Sequence, residues 1–346
     1  MKIALDATYS AGENPTGVGV YSRAILNGLA AAHPDVRFHF CYRAHRLIRS
    51  FQTPLPGNAS RRLLAKGFAP SADVFHALNQ RVDSAHRRTV TTFHDLFVIS
   101  GDYSTPDFRA RFTEQARAAA ARSDLIIAVS HFTAGQVEQL LRIDPGRIRV
   151  IHHGVDQPRE PAGPPAREPM ILFVGALQRR KNIARLVEAF EKLPAGWRLA
   201  LAGSSGYGAA EILARIEVSP RRNDIHVLGY VTNTVLTDLF RRASIFAFPS
   251  LDEGFGMPLL DAMAHSVPIL TSNVSAMPEV AGDAAVLVDP TDVTAIADGL
   301  KQLMDDSDLQ TQLIQAGLAR SREFSWKRAV EKTWQVYEEL LAAGRS

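Results

Sequence analysis

Two acidic residues bracket a short glycine-rich stretch in the second half of the chain. Glu253 stands directly before Gly254, and Asp261 follows Gly256. Glycine lets a backbone approach a ligand closely, and the N–H groups at the start of a helix favour phosphate oxygens. One carboxylate can accept hydrogen bonds from sugar hydroxyls and the other from ribose hydroxyls. The pattern predicts a site for a sugar nucleotide, and the alternative is a tight structural turn with an acid that caps a helix.

A run of three cations forms a second candidate site earlier in the chain. Arg179, Arg180 and Lys181 follow a predicted strand over 170–174 and precede a predicted helix over 183–193. Cations beside a helix N-terminus form a strong anion site, because the positive end of the helix dipole adds to their charge. The alternative is solvated surface charge.

The elements around the glycine-rich stretch place it at a sheet edge. An apolar run over 243–248 is typical of a buried parallel strand, Pro249 ends it, and Pro258 suits the first turn of a helix. Strand, loop and helix in this order put the loop where open α/β sheets bind ligands. We therefore expect Asp261 in the first turn of the helix, where the helix N-terminus keeps its carboxylate ionised.

The first half of the chain opens with a strand, a glycine turn and a helix. Gly17 and Gly19 form the turn after the strand over 2–6. A dinucleotide fingerprint needs a third glycine, and Ser22 stands at that position. No acidic residue ends the second strand, over 37–42, so a dehydrogenase is disfavoured.

A histidine stands at the end of another predicted strand. The strand over 89–93 leads into His94 and Asp95, which places His94 at the ligand edge of the first sheet. The alternative is a histidine satisfied by local hydrogen bonds. No second ligand stands at metal-binding spacing near His94, so we expect no zinc site there.

The glycine-rich stretch resembles a known signature. Residues 253–264, Glu-Gly-Phe-Gly-Met-Pro-Leu-Leu-Asp-Ala-Met-Ala, are similar to the donor site of the retaining glycosyltransferases of family 4, which have the GT-B fold. That signature has two glutamates with seven residues between them. Glu253 matches the first, and Asp261, one methylene shorter, stands at the second. The resemblance runs over nearly the whole chain.

The resemblance implies the architecture of an α/β protein of GT-B class, with two doubly wound Rossmann-like domains facing across a cleft. We expect an acceptor-binding domain over 1–160 and a donor-binding domain over 161–324, with a C-terminal helix over 325–343 packing back on the first. A proline-rich segment over 158–169 marks the domain boundary.

The resemblance also implies roles for particular residues. Arg180 and Lys181 match a basic pair that neutralises the donor diphosphate, with Lys181 exposed in the cleft. Glu253 would hold sugar hydroxyls, and His94 would approach the sugar from the opposite domain. The catalytic set implied is therefore His94, Arg180, Lys181 and Glu253. The donor-binding set implied is Gly17, Gly19, Gly203, Val231, Glu253, Gly254, Phe255, Gly256 and Asp261.

The implied reaction moves a hexose from a nucleotide diphosphate to a hydroxyl of a glycan or lipid-linked saccharide, with retention of configuration. The stretches 175–182, 250–258 and 275–285 look most like bacterial mannosyltransferases that build polysaccharides from GDP-mannose. We expect no cofactor and no metal, because side-chain cations can take the place of a divalent ion. Two alternatives are a GT-B sugar-nucleotide epimerase, which would need acid/base carboxylates beyond Glu253, and a non-catalytic nucleotide-sugar binding module.

Bulk properties agree with a two-domain cytoplasmic protein. The chain has 346 residues, enough for two cores, and 46% hydrophobic residues. The lone Cys41 excludes an internal disulfide and a cysteine metal cluster and suits the cytosol. We find no signal peptide and no run of about 18 apolar residues that would span a membrane. We expect no nucleic-acid partner.

The first half of the chain is basic. Residues 1–160 contain 20 Lys and Arg against 14 Asp and Glu, whereas the remainder has 19 against 22. Within 43–68 the basic residues alternate with large apolar ones, which suits peripheral contact with an anionic membrane at the inner face of the cell membrane. The interpretation that we favour is an amphipathic helix and loop packed on the domain's own core.

Overall fold

A computed structural model describes residues 1–12, 16–66, 70–158 and 167–343 and divides the chain into two units. Unit 1 comprises Met1–Gly154 and Ser325–Ser346, and unit 2 comprises Val155–Phe324. The predicted boundary at 160/161 lies in 159–166, outside the described residues, as does most of the proline-rich segment.

Unit 1 is built on a parallel sheet that, in its described part, has seven strands. Their order is β3-β2-β1-β4-β5-β6-β7, so the direction of winding reverses between β1 and β4. The strands are β1 (Lys2–Asp6), β2 (Arg37–Arg43), β3 (Ala59–Leu64), β4 (Val74–Ala77), β5 (Thr89–Phe93), β6 (Leu125–Ala128) and β7 (Ile148–Val150).

Helices cover both faces of this sheet, and the sequence explains where they begin. The helices are α1 (Gly17–Ala32), α2 (Ala44–Ser50), α3 (Phe97–Ser100), α4 (Pro106–Arg122) and α5 (His131–Leu141). Ser130 caps α5: its Oγ accepts a hydrogen bond from the N–H of Thr133 at 2.9 Å. Apolar residues of α1 pack on one face of the sheet and small residues of α4 on the other.

Unit 2 repeats the plan with a parallel sheet that has six strands among the described residues, in the order β10-β9-β8-β11-β12-β13. The strands are β8 (Glu168–Val174), β9 (Arg198–Ala202), β10 (Ile225–Gly229), β11 (Ala243–Phe248), β12 (Ile269–Ser272) and β13 (Val286–Val288). The helices are α6 (Ile183–Glu191), α7 (Ala209–Glu217), α8 (Asn233–Arg242), α9 (Met257–Ala264), α10 (Met277–Ala281), α11 (Val293–Asp305) and α12 (Ser307–Glu323).

The last helix, α13 (Trp326–Ala343), belongs to unit 1 and packs on α1. A Cβ on Gly28 of α1 would come within 2.4 Å of Val330, so the missing side chain permits the close approach. The Tyr337 hydroxyl lies 2.6 Å from Nδ1 of His76, whose Nε2 lies 2.8 Å from the Thr92 hydroxyl. Burial lowers the pKa of His76 to about 3, so the ring stays neutral within this hydrogen-bonded chain.

The basic stretch over 43–68 differs from the favoured expectation. It contains the short helix α2 and the edge strand β3, which pairs in parallel with β2, rather than a helix and loop. Leu47 and Leu64 face the core as expected, but Ile48 and Phe51 are exposed. Phe68 lies outside the described residues. The strand was missed because Ala-Ser-Arg-Arg-Leu-Leu does not alternate between apolar and polar residues.

Candidate functional site

The candidate site of unit 2 lies where its sheet changes winding direction. Strands β8 and β11 are neighbours there, although about 70 residues separate them in the chain. The loops 175–182 and 249–256 follow these two strands and therefore leave the sheet side by side at its carboxyl edge. This is the position at which open α/β sheets bind ligands.

Three charged side chains meet between these loops. Nη1 of Arg180 lies 2.8 Å from Oε2 of Glu253, and Nζ of Lys181 is ion-paired with Oε1 of the same carboxylate. Nζ of Lys181 also lies 4.6 Å from the centroid of the Phe248 ring, a cation–π contact. Burial alone would raise the pKa of Glu253, but Arg180 and Lys181 outweigh it and hold that pKa below its ordinary value.

Lys181 is therefore buried, whereas the sequence had led us to expect it to be exposed in the cleft. The side chains of Arg180, Lys181 and Glu253 are 11%, 10% and 8% exposed. The cations turn inward to Glu253, because a buried charge is stable only when an opposite charge compensates it. The sequence showed the charges but gave no indication that they pair with one another.

Backbone contacts fix the two loops together. The N–H of Leu251 donates to the Arg180 carbonyl at 2.8 Å, and Nη1 of Arg180 donates to the Asp252 carbonyl at 2.8 Å. Asn182, which sequence reasoning missed, adopts a left-handed conformation with φ 61°. Its Nδ2 donates to the carbonyls of Pro249 at 2.9 Å and Pro290 at 2.6 Å. Asparagine tolerates the left-handed conformation better than most residues. An asparagine directly before a predicted helix was therefore the sequence signal that could have identified Asn182.

The glycine-rich loop is held by packing as well as by hydrogen bonds. Gly256 has φ 91°, and a Cβ there would come within 2.5 Å of the Met277 side chain. Phe255 is buried, and its ring meets Phe324 edge-on with centroids 5.9 Å apart. The N–H of Glu253 donates to the Ser275 hydroxyl at 3.3 Å. The backbone conformation and the close approach of Met277 thus both require glycine at position 256. Gly254, two residues earlier, is also buried.

Asp261 differs from the expectation in position and in charge. It is the fifth residue of α9, one turn beyond the start, and the first turn carries no acidic residue. Burial and the nearby Asp156 carboxylate raise the pKa of Asp261 to about 7. The helix dipole acts mainly within the first turn, so it does not offset these two effects. Asp156 was not identified from the sequence.

Gly203 and Val231 follow the other strands of this half of the sheet. Gly203 has φ 154°, and a Cβ there would overlap the Gly175 carbonyl at 1.9 Å. Its N–H donates to the Gly229 carbonyl at 2.7 Å, which links the loop after β9 to the end of β10. Val231 is half-buried between β10 and α8. Both residues thus lie at the same carboxyl edge as the charged cluster.

The remaining predicted site residues, Gly17, Gly19 and His94, belong to unit 1. The two glycines lie in the first turn of α1 rather than in a loop before it, and Gly19 is buried. Nε2 of His94 donates to the Leu78 carbonyl at 2.9 Å, and burial lowers the pKa of His94 to about 4. Its ring lies edge-on to Tyr21 with centroids 4.8 Å apart. His94 is therefore a neutral histidine with one nitrogen already engaged.

An Asp-x-Asp triplet, a spacing seen at metal sites, occurs at 306–308. In the structure it begins α12: Oδ1 of Asp306 accepts a hydrogen bond from the N–H of Leu309 at 2.8 Å. This is the contact of a helix N-cap, and it gives the triplet a structural role.

The chain has two Rossmann-like units, each with a parallel sheet, and unit 2 holds a basic pair and a glutamate where its winding direction changes. These features define a protein of GT-B class and confirm the predicted fold. Family models match both units: "Glycosyltransferase Family 4" over residues 15–159 and "Glycosyl transferases group 1" over residues 155–320. The chain belongs to this family of glycosyltransferases, as its signature had indicated.

Individual proteins agree with this assignment. The chain is 31% identical to the O-antigen chain mannosyltransferase B of Escherichia coli, over 77% of this chain and 74% of that protein. Its fold is similar to sucrose-phosphate synthase of Thermosynechococcus elongatus, with a TM-score of 0.80 and 20% identity over 99% of this chain and all of that one. It is also similar to Anabaena HepE in complex with UDP-glucose, with a TM-score of 0.77 and 17% identity over 98% and 100% of the two chains.

Proposed function

We propose that this glycosyltransferase moves mannose from GDP-mannose to a hydroxyl of a glycan or lipid-linked saccharide, with retention of configuration. The observation that carries the proposal is the buried cluster in which Arg180 and Lys181 share Glu253. The choice of mannose rests on the mannosyltransferase relative, which is 31% identical.

The bond changes balance without a cofactor. The bond between the anomeric carbon and the phosphate oxygen breaks, and the acceptor oxygen bonds to the same face of that carbon. The proton of the acceptor hydroxyl passes to a phosphate oxygen of the departing nucleoside diphosphate. The substrate thus supplies its own base, and the protein's task is to stabilise the charge that develops on the diphosphate.

The described residues suit that task. Arg180 and Lys181 precede α6, so their charges and the positive end of the helix act on the same place. Glu253, ionised between them, would accept hydrogen bonds from hydroxyls of the transferred sugar. Because these groups are buried, they act in a medium that screens charge poorly, where preorganised donors have their largest effect. His94 is assigned a catalytic role on the family resemblance.

A thermal-shift screen tests the donor. GDP-mannose and GDP should raise the melting temperature of the protein by mass action, and UDP-glucose should raise it less. Stabilisation by uridine nucleotides alone would overturn GDP-mannose as the donor while leaving a glycosyltransferase. Incubation of GDP-mannose without an acceptor should give no elimination or epimerised product; if such a product formed, the transferase reaction would be contradicted.

Turnover with an acceptor tests the mechanism. The anomeric configuration of the product, read from the one-bond carbon–proton coupling in NMR, should match that of the donor. Activity should survive EDTA, because the cations of Arg180 and Lys181 supply the charge that a divalent metal would otherwise provide. Complete loss on chelation, restored by magnesium or manganese, would contradict metal independence.

We further propose that the reaction takes place in the cytoplasm, with unit 1 in peripheral contact with an anionic membrane and without a nucleic-acid partner. Within the described part of the chain, every helix is too short or too polar to cross a bilayer. The basic composition of the first half supports the peripheral contact.

A further inference from the structure

Asn182 stands between Lys181 and the first residue of α6, and its side chain is almost completely buried, with 3% exposed. An asparagine directly before a helix commonly caps it by accepting a hydrogen bond from a backbone N–H of the first turn. The side chain of Asn182 makes no such cap on α6. Its left-handed backbone could be met by glycine, which adopts that conformation at no steric cost. The carboxamide of Asn182 therefore serves something other than the local turn.

The amide nitrogen of Asn182 reaches two segments that are distant in the chain. Nδ2 donates to the carbonyl of Pro249, which follows β11, and to the carbonyl of Pro290, which follows β13. Both prolines are buried, and a buried carbonyl without a hydrogen-bond partner is costly. Oδ1 of Asn182 accepts from Nη1 of Arg185 at 3.0 Å. One side chain thus ties the loop after β8 to the segments that follow two other strands.

Hydrogen bonds hold the chain on both sides of Lys181. The residue before it, Arg180, accepts at its carbonyl a hydrogen bond from the N–H of Leu251 at 2.8 Å. The residue after it, Asn182, donates to the Pro249 carbonyl at 2.9 Å. The backbone of Lys181 is thus fixed at two points along the loop that carries the shared glutamate. These two points set the direction from which Nζ approaches that carboxylate.

We propose that Asn182 is a positioning residue that holds Lys181 where its charge stabilises the departing diphosphate. The inference rests on the proposed function, in which Lys181 supplies that charge. Asn182 acts through Lys181, because its own carboxamide is already engaged by Pro249, Pro290 and Arg185. Misplacement of a catalytic group by about 1 Å can lower a rate by about 100-fold, so a tie of this kind matters for turnover.

The variant Asn182→Gly tests the inference, because glycine keeps the left-handed backbone and removes only the carboxamide. Its kcat should fall about tenfold, whereas its KM for the donor should change by less than about threefold, since correct placement of the charge acts on the transition state. Both constants are measured at a temperature at which circular dichroism shows the variant to be folded. A parental kcat in the folded variant would overturn the inference.

Asn58 in unit 1 provides the matched control. Its Nδ2 likewise donates to two carbonyls, those of Ala30 and His33, at 3.0 Å each. Asn58→Gly therefore removes an equivalent pair of hydrogen bonds away from the charged cluster, and it should keep the parental kcat. An equal loss of kcat in Asn58→Gly and Asn182→Gly would show a general effect of loosened folding and would overturn the positioning role.

A double-mutant cycle with Lys181→Ala separates action through Lys181 from any other effect. Adding Asn182→Gly to Lys181→Ala should lower kcat by less than about twofold further, because the group that Asn182 positions is already gone. A second loss of about tenfold in the double variant would overturn the inference while leaving the proposed role of Lys181 intact. Parental turnover of the single variant Lys181→Ala would overturn that proposed role, and this inference with it.

Discussion

The two sheets of this glycosyltransferase each carry an ion cluster at the place where their winding direction changes, and the clusters are built oppositely. In unit 2 one carboxylate, Glu253, is shared by Arg180 and Lys181. In unit 1 one guanidinium, Arg43, is shared by Asp6 at 2.8 Å and Asp83 at 3.0 Å. The same scaffold thus places two cations on one acid in one sheet and two acids on one cation in the other.

Further hydrogen-bond and ion-pair partners satisfy the two carboxylates of the unit 1 cluster. Asp6 is fully buried and also accepts hydrogen bonds from the N–H of Thr8 at 3.0 Å and from Asn79 at 3.4 Å. Asp83 has a second cation, Arg81, at 2.9 Å. The charges of these four ionic groups balance. We infer from the comparison that the unit 1 cluster ties strand ends together, whereas the cluster of unit 2 suits an anionic ligand.

Breaking the unit 1 cluster should have the largest effect on stability. Arg43→Ala would leave the buried Asp6 carboxylate without its cation and should lower the free energy of unfolding by about 3 kcal/mol, the lower end of the range for a broken buried pair, since Thr8 and Asn79 remain. Urea denaturation measures this. Arg81→Ala is the matched control: Arg81 is 41% exposed, and its loss should cost less than about 1 kcal/mol. Equal effects of the two substitutions would contradict the structural role assigned to Arg43.

Much of the fold was predictable because buried parallel strands are short apolar runs with clear ends. The ranges predicted for β5 and β11 agree with the structure, since His94 and Pro249 follow them directly. The site was only partly predictable. Lys181 and Glu253 are 72 residues apart, and their contact depends on the adjacency of β8 and β11. The raised pKa of Asp261 depends on Asp156, a residue whose proximity the sequence did not show.

Breaking the unit 2 cluster should act on catalysis. Lys181→Ala should lower turnover by about 100-fold, the usual scale for the loss of one preorganised charge donor. Because Lys181 is buried against Glu253, some loss of stability should accompany it. Steady-state kinetics below the melting temperature of the variant measures the effect.

The adjacent Arg179 provides the matched control for Lys181. It pairs with the exposed Glu211 at 2.7 Å, outside the cluster. Arg179→Ala should therefore retain most of the activity. If the folded Lys181→Ala protein turned over at the rate of Arg179→Ala, Lys181 would have no special part in the reaction.

Neutralising the shared carboxylate should separate binding from turnover. Glu253→Gln leaves both cations uncompensated by that residue, so inorganic pyrophosphate and GDP should bind about tenfold more tightly. Turnover should fall, because the amide is a weaker acceptor for sugar hydroxyls. Calorimetry at low salt measures the affinities, and Glu211→Gln is the control for removal of a carboxylate from an exposed pair. Unchanged pyrophosphate affinity would contradict the idea that Glu253 moderates an anion site.

Asp261 should show the smallest effect, and its sign depends on pH. Its folded-state pKa of about 7 lies above the ordinary value of 3.8. Between these values the folded protein holds a proton that the unfolded chain has released, so the stability contributed by Asp261 falls as pH rises and is lost above about pH 7. Asp261→Asn should therefore be more stable than the parent at about pH 8, and this advantage should disappear in mild acid.

The same carboxylate should make donor binding pH-dependent. Only the ionised form accepts hydrogen bonds from both ribose hydroxyls, so the affinity for the donor should rise as Asp261 loses its proton. Asp261→Asn should flatten that dependence and weaken binding by about 1 kcal/mol, the low end for a charge-assisted hydrogen bond, because the parent is only half ionised near pH 7. Asp261→Glu should be tolerated, since it restores the carboxylate with the length found in the family signature.

Asp156→Asn is the matched control. It should keep the affinity for the donor and shift the pH at which that affinity rises to a lower value, because it removes the repulsion that raises the pKa of Asp261. If all three variants bound the donor as the parent does across this pH range, Asp261 would be a helix residue without a ribose contact.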